Sequence, residues 1–490
     1  MAKDMGQIAK NTLAGKFLVT SYITPASYSA FPVLEDHPDY IRYPGVILTY
    51  AALFYLFGSD PSVIRVFNIC LILPIFFFSF LLINSINPTK YNRSKSLNST
   101  RAEWNLKIVL FAVILSQEIA RIIFKDAYEV YALAIFLGVL YFSFVKRSPI
   151  IVGVLMGMLY LVRPNMLVFF PAVLLFLSPT IDYQRPLLFL RSRRVWLAIF
   201  IFGLINAPFV LRNLEKAGTP IFSLQQTIEL KKNIIASHEE LYRSFRPSPK
   251  LDLEDPGILA AASDKFIRNF TSVLYKNFSG LNFLLLVSAI FAAVRSRKIL
   301  HFLIPYLICT LLHLLVFSFY LEAFRLYIPI VYPIYLFGVY EIIFRIRYIF
   351  ISKLPRLKLN LIYTKRKHFD LFFQILFWGF FLYAVNSKAK IRVPLGDKLD
   401  PPPREFRQSL LDKNIKYVYS NNPFSLIFDT DLVVIYSPID LGEISELGPK
   451  EAQYYVHDGR YSSEIPAQIR ATANLDFEIE KFSLWKLNFQ

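Results

Sequence analysis

Long apolar stretches alternate with short connectors along most of this chain, and every second connector is loaded with Lys and Arg. Lipid offers the backbone no hydrogen-bond partners. An apolar stretch of ~20 residues must therefore close its own bonds as a helix of about 30 Å to cross a bilayer. Ten spans are read, at 62–84, 106–124, 128–145, 150–163, 165–178, 195–211, 279–294, 300–319, 325–344 and 371–386. The fourth and fifth are short, with Arg163-Pro164-Asn165 between them. Proline breaks a helix and arginine is costly at mid-bilayer, so two short spans joined by a turn are expected rather than one long helix.

Parity then sets the orientation. With ten spans, connectors 85–105, 146–149, 179–194, 295–299 and 345–369 share one side. They carry 21 Lys and Arg against Glu103 and Asp182. A basic excess marks the cytoplasmic side. Merging the two short spans would move the later basic connectors to the wrong side. The outer side receives residues 1–61, turns at 125–127, 163–165 and 320–324, a polar loop at 212–278 and a tail at 387–490.

The fold class that follows is mainly α: a polytopic membrane helix bundle with a small periplasmic α/β C-terminal domain. The domains are 1–61, a first outer loop with interfacial helices; 62–386, the membrane domain; and 387–490, the tail. In the tail, 415–420 and 431–437 read as strands, 403–414 as a helix before them and 477–489 as a late strand. Pro44 to Phe57 offers only ~14 apolar residues, which suits the interface better than a span. Composition agrees with a membrane protein: 490 residues, 55% of them hydrophobic and 18% charged. The net charge of +18 lies largely in membrane-flanking loops, where it meets anionic headgroups, and no nucleic-acid partner is expected. Cys70 and Cys309 fall in apolar stretches and read as small core residues. Asn206 and His313, polar groups within spans, read as satisfied core groups. Residues 1–15 are polar and mixed in charge, unlike a secretory signal.

Charged residues cluster at the outer membrane edge. The head supplies Asp4, Glu35, Asp36, His37, Asp39 and Arg42. The turns supply Lys125, Asp126, Glu129, Arg163, Glu322 and Arg325, and Arg212 opens the long loop. Any one of them reads as a solvated or snorkelling helix-end charge. Drawn from distant segments to one depth, they become candidates for a site. Arginines hold phosphate through forked, charge-assisted bonds, and a carboxylate can take a proton from an attacking hydroxyl. A lipid-linked phosphate-sugar needs both at this depth. Asp36, His37 and Asp39 are of a type that could bind a divalent ion, but Asp-His-Pro-Asp in a loop is more often turn chemistry, and no His/Cys cluster of metal-ligand spacing appears.

Asp4-Met-Gly-Gln-Ile-Ala-Lys-Asn-Thr-Leu-Ala-Gly15 resembles the start of the first outer loop of GT-C membrane glycosyltransferases. The likeness is to the bacterial branch similar to protein mannosyltransferases and the lipid A aminoarabinose transferase. A Pro-rich approach to an interfacial helix follows, in His37-Pro38 and Tyr43-Pro44-Gly45 through Gly58, then Arg65 at the next span. Tyr160-Leu-Val-Arg163-Pro164 resembles the family's Arg-Pro turn. Ala207-Pro208 through Arg212 to Pro220 resembles the lead into its large outer loop. Glu322-Ala-Phe-Arg325-Leu-Tyr327-Ile-Pro329 resembles its Arg-Tyr-Leu-Pro span entrance. The likeness covers roughly residues 1–345. Two departures stand out: Met5 follows Asp4 where relatives with paired acids have a second carboxylate, and Leu326 interrupts the arginine–tyrosine pair.

The resemblance implies transfer of a sugar from a polyprenyl-phosphate donor to a lipid, glycan or protein acceptor on the periplasmic side of a bacterial inner membrane. It implies Asp4 as the catalytic base, Asp126 as a second catalytic carboxylate, and Arg325, Tyr327, Arg163 and Arg212 near the donor phosphate. Asp36, His37, Asp39 and Glu322 fall to acceptor or accessory roles. No cofactor is expected, since arginines can neutralise a single phosphate. A further span ahead of Met1 is expected, because the family's acidic residue follows its first span. The alternatives are a transporter or flippase for lipid-linked saccharides, which would need broken repeats or mid-span polar groups, and a non-catalytic membrane assembly subunit.

Overall fold

The computed structural model describes residues 2–86, 127–178, 186–247, 249, 251–252, 254–278, 280–320, 327–352, 402–427, 430–462 and 464–488. The expected spans at 106–124 and 371–386 lie outside these residues, as do Lys125, Asp126, Glu322 and Arg325.

The other eight expected spans coincide with apolar helices. Four are long and apolar enough to cross a membrane: Ser62–Ser85, Glu129–Lys146, Arg193–Ala217 and Arg297–Phe317. The rest are shorter, at Pro149–Val162, Pro164–Leu177, Asn282–Arg295 and Ile328–Ile343. The break between the two short central helices falls where proline requires it. Pro149–Val162 ends at Arg163, and Pro164 opens a 3-10 turn, Pro164–Phe169, that leads into Phe170–Leu177.

Small residues let these helices approach closely, as is common where helices pack within a membrane. A Cβ on Gly153 would lie 2.7 Å from the Ala198 carbonyl oxygen, so Pro149–Val162 presses on Arg193–Ala217 there. Gly338 faces the Leu285 backbone so closely that any side chain would force the helices apart. An aromatic column fills the centre, with Phe302 5.3 Å from Phe176, 5.5 Å from Tyr306 and 5.1 Å from Phe337 between ring centroids. Exposed apolar residues such as Phe200, Leu204, Leu211 and Ile308 cover the outside of the spans. Cys309 is buried as expected, but Cys70 lies on this outer apolar surface. A helix in lipid need not turn its apolar residues inward.

The helix Pro44–Phe57 is too short to cross. It buries Val46, Ile47, Tyr50, Ala51 and Phe54 and leaves Tyr55, Leu56 and Phe57 exposed. A Cβ on Gly45 would lie 2.8 Å from the Leu161 carbonyl carbon, so its first turn rests on the Arg163 turn.

The tail forms a sheet whose edge comes from the head. The strands are β1 (Tyr22–Ile23), β2 (Tyr417–Ser420), β3 (Val433–Tyr436), β4 (Tyr454–Asp458), β5 (Ala473–Ile479) and β6 (Phe482–Leu487). Their order is β1-β3-β2-β4-β6-β5. The first four run parallel; β6 and β5 close the other edge as an antiparallel hairpin. The expected helix and first two strands stand at Arg404–Asp412, β2 and β3. The single late strand is instead the β5–β6 hairpin, turned at Glu480, whose φ is 57°. β4 and β1 were not foreseen. Ser21 and Tyr22 join β3 through Val434 N–H to Ser21 O (2.8 Å), and Tyr22 sits in the tail's own core beside Phe424.

The loop after residue 217 joins the same body. Glu443, buried in the tail, accepts from Ser244 Oγ (2.9 Å) and from Phe245 N–H (2.7 Å). Arg243 donates to the Ser437 carbonyl at 2.9 Å and lies over the Tyr436 ring. Lys416 pairs with Glu35 of the head. Head, loop and tail therefore cap one end of the helix bundle together. At the other end Arg295 and Arg345 share the Glu341 carboxylate, at 3.0 and 2.8 Å, with Lys298 and Arg147 nearby.

Candidate functional site

The site lies where the head meets the bundle. Asp4 stands in the first turn of Ala2–Leu13. That helix is held to β1 by Gln7, whose amide donates to Ser21 Oγ at 2.7 Å and whose carbonyl accepts from Ser21 N–H at 3.0 Å. Asp4 is buried and takes two bonds on Oδ2 from Arg42, from Nε at 2.9 Å and from Nη2. Burial alone would raise the Asp4 pKa, but the Arg42 charge and its bonds outweigh that and hold it below the ordinary aspartate value. Asp4 is therefore ionised at neutral pH. Arg42 also lies 5.5 Å from the centre of the Tyr22 ring, so the strand that completes the tail's sheet also backs the ion pair.

Asp39 turns the chain into this arrangement. Its two carboxylate oxygens accept the backbone N–H groups of Ile41 and Arg42, each at 3.2 Å. Burial raises its pKa above the ordinary value. Arg212, near the end of the span Arg193–Ala217, donates to the Asp39 carbonyl at 3.3 Å and stacks over Tyr40 at 4.5 Å. No carboxylate pairs with Arg212 among the described residues. Arg42, Arg212 and Asp39 line one cavity of about 80 Å³, with Tyr43, Tyr160, Pro164, Ser223 and Gln226 completing its polar and aromatic wall. A cavity of this size has room for several waters or a small polar group.

Arg163 sits just below. The turn that Pro164 imposes swings its side chain inward to Glu129 Oε1 at 2.8 Å, and both side chains are at least nine-tenths buried. Arg163 therefore faces a carboxylate rather than the cavity, though its neighbours Leu161 and Pro164 line that cavity. Tyr43 stands in electrostatic contact with both members of the pair. Next in line, Asn165 Nδ2 lies 3.3 Å from His313 Nε2, and the Tyr327 ring meets His313 edge-on at 5.3 Å. The start of the 129 helix, the end of the 149 helix, the end of the 297 helix and the start of the 328 helix thus meet at one end of the bundle.

The ten expected site residues therefore separate. Asp4, Asp39 and Arg212 gather at the rim, and Arg163 and Tyr327 belong to the buried layer beneath. Asp36 turns away; it is exposed, at φ 50°, and pairs with Lys16 at 2.8 Å. His37 is fully buried and its Nδ1 donates to the Val33 carbonyl at 2.7 Å. Asp126, Arg325 and Glu322 lie outside the described residues. Asp36, His37 and Asp39 spend their polar atoms separately, and no group of three or more His, Cys, Asp or Glu that could hold a metal occurs among the described residues.

Four participants were absent from the expected set. Arg42 and Glu129 were legible as edge charges, but nothing in their spacing named their partners. Asn165 was present in the Arg-Pro-Asn turn. His313 was read as a satisfied core group; it is fully buried, yet its Nδ1 has no hydrogen-bond partner among the described residues. Its signal was a histidine near the C-terminal end of an apolar helix.

Burial of His37 carries a pH consequence. It lowers the imidazole pKa from 6.5 to about 4. The folded state therefore resists a proton that the unfolded chain accepts below pH 6.5. The stability owed to neutral His37 is complete above pH 6.5 and is lost as pH falls toward 4. By the linkage relation this is about 3 kcal/mol. Melting temperature measured from pH 7 to 4.5 should fall in the wild type. His37→Phe should fall less over that window, and parallel curves would show that His37 does not contribute.

No protein family, curated protein or solved structure matches the chain.

Proposed function

We propose that this chain is a membrane glycosyltransferase that moves a sugar from a polyprenyl-phosphate donor to an acceptor hydroxyl at the outer face of a bacterial inner membrane. The observation that carries the reading is the ionised Asp4–Arg42 pair beside a cavity that also holds Arg212. Arg42, held by Asp4, and Arg212, which has no carboxylate partner among the described residues, line that cavity together at the head-side end of an apolar bundle. The basic cluster at the opposite end supports an orientation with that end in the cytoplasm and the head, long loop and tail in the periplasm. The ten-span count belongs to the same proposal.

In this reading Arg212 and Arg42 face the phosphate, and the polyprenyl tail lies along the apolar outer surface of the spans. The acceptor oxygen attacks the anomeric carbon, the bond from that carbon to the phosphate oxygen breaks, and the phosphate leaves with the electron pair. The acceptor proton passes to Asp4. A depressed pKa makes Asp4 a weak base, which suffices because the attacking hydroxyl becomes strongly acidic as it bonds to an oxocarbenium-like centre. Asp39 holds the turn that presents Arg42.

The test is transfer of labelled sugar from undecaprenyl-phosphate donors by the purified full chain, with donor affinity measured separately. Arg212→Ala should weaken binding of bare undecaprenyl phosphate by roughly tenfold or more, as loss of a charge-assisted bond does. Absence of binding to any lipid phosphate by the wild type would refute the reading.

A further inference from the structure

Beneath the rim, five side chains carry buried polar atoms that no described residue satisfies: Glu129 Oε2, Arg163 Nε, Asn165 Oδ1, His313 Nδ1 and the Tyr327 hydroxyl. Buried polar groups are nearly always paired, so five together need an explanation. They are contiguous. Glu129 holds Arg163 at 2.8 Å, Arg163 lies within electrostatic reach of His313, Asn165 lies 3.3 Å from His313, and Tyr327 packs edge-on against it. Phe317 stacks on His313 at 4.3 Å, so an aromatic face borders the group. Resting on the glycosyltransferase reading above, we propose that this cluster is the carbohydrate subsite of the donor. It would take the hydroxyls of the transferred sugar while Arg212 and Arg42 take the phosphate.

The unsatisfied atoms select the ligand. Glu129 Oε2 can only accept and Arg163 Nε can only donate. The Asn165–His313 contact has two hydrogen-bonding arrangements. If the amide donates to Nε2, Asn165 Oδ1 is left as an acceptor and Nδ1 as a donor. If Asn165 is turned over, the amide nitrogen is left as a donor and Nδ1 as an acceptor. Either way the cluster offers two acceptors and two donors, with Tyr327 able to do both. Phosphate oxygens can only accept, so a phosphate would leave two acceptors facing it unpaired. Vicinal hydroxyls both donate and accept and satisfy the whole set. Charge agrees among the described residues, where Glu129 neutralises Arg163 and the cluster holds no surplus cation for an anion. Glu129, Arg163, His313 and Tyr327 are each more than nine-tenths buried. A sugar reaches them with rotamer changes in the lining, which are common on binding.

The experiment compares affinity of the full chain for bare undecaprenyl phosphate with affinity for the same lipid phosphate carrying mannose, glucose, galactose or 4-aminoarabinose. The wild type should bind at least one glycosylated lipid more tightly than the bare one. Tyr327→Phe and Asn165→Ala should leave bare-lipid affinity unchanged and weaken that glycosylated lipid by roughly three- to tenfold each, the worth of one neutral hydrogen bond. Tyr327→Phe should also melt no lower than the wild type, because it removes a hydroxyl that no described residue pairs. Equal losses on bare and glycosylated lipid, or none on either, would overturn the inference, as would a wild type that binds bare lipid as tightly as every glycosylated one. A wild type that binds no lipid phosphate would instead overturn the underlying functional reading.

Discussion

Asp4→Asn is expected to lower sugar transfer by about two to four orders of magnitude, the range that removal of a general base typically costs. Asparagine keeps the shape and one oxygen that can still accept from Arg42, but it cannot take the acceptor's proton. Donor affinity should change far less, because in the proposed site Arg212, which no described carboxylate pairs, still faces the phosphate beside Arg42. Stability is the competing effect. Arg42 would be left half-paired in a buried position, and breaking a buried pair outright costs about 3–5 kcal/mol. Melting temperature and donor affinity must therefore be measured beside the rate. A folded Asp4→Asn that binds donor and transfers at the wild-type rate would remove Asp4 from the chemistry. The pH profile gives an independent check. Asp4 is held below the ordinary aspartate value of 3.8, so activity that needs its carboxylate should persist at a pH where an ordinary aspartate is already protonated. The stability from the pair has the same sign. It is complete above the unfolded value of ~3.9 and is lost as pH falls through the lower folded value.

Arg163→Met should destabilise the folded chain in detergent by about 3–5 kcal/mol, because it strands the Glu129 carboxylate in the bundle. Glu129→Gln alone should cost less, since a neutral amide can still accept from Arg163. The double variant Glu129→Leu/Arg163→Met should recover most of the loss, as replacing both ions with apolar groups of similar size is often neutral. The coupling energy from the cycle reads the pair directly. An exposed pair would couple by only about 0–1 kcal/mol, and a value in that range would show that the two side chains do not meet in a dry interior. The expectation of Arg163 at the donor phosphate changes for the same reason. Its charge is already spent, 2.8 Å from Glu129, so the proposed function rests on Arg212 and Arg42 rather than on Arg163 for the phosphate.

The helical half of the fold was readable because lipid leaves the backbone few choices. Apolar length located the eight described spans, most of their ends to within a few residues, but not the helix Pro256–Phe278 in the long loop, and Pro164 marked the break between Val162 and the 3-10 turn. The tail was harder. β2 and β3 are compact β-branched and aromatic runs. β4, Tyr-Tyr-Val-His-Asp, ends on polar residues, and β5 alternates weakly, with Asn474, Asp476 and Glu478 on its open face. Two residues of the head could not announce themselves as a strand. Tyr22–Ile23 has no period to detect and becomes a strand only when β3 offers an edge more than 400 positions away.

The site divides along the same line. Amino-acid order and spacing alone placed Asp4, Arg42, Glu129, Arg163 and Arg212 at one end of an apolar bundle, because turn residues do not remain at mid-bilayer. Which charge meets which was decided by the tertiary structure. Asp4 chooses Arg42 across 38 residues, Glu129 chooses Arg163 across 34, and His313 reaches Asn165 across 148. Such pairings depend on helix rotation and on contacts as close as Gly45 against Leu161. Packing sets these, and no local period in the sequence records it.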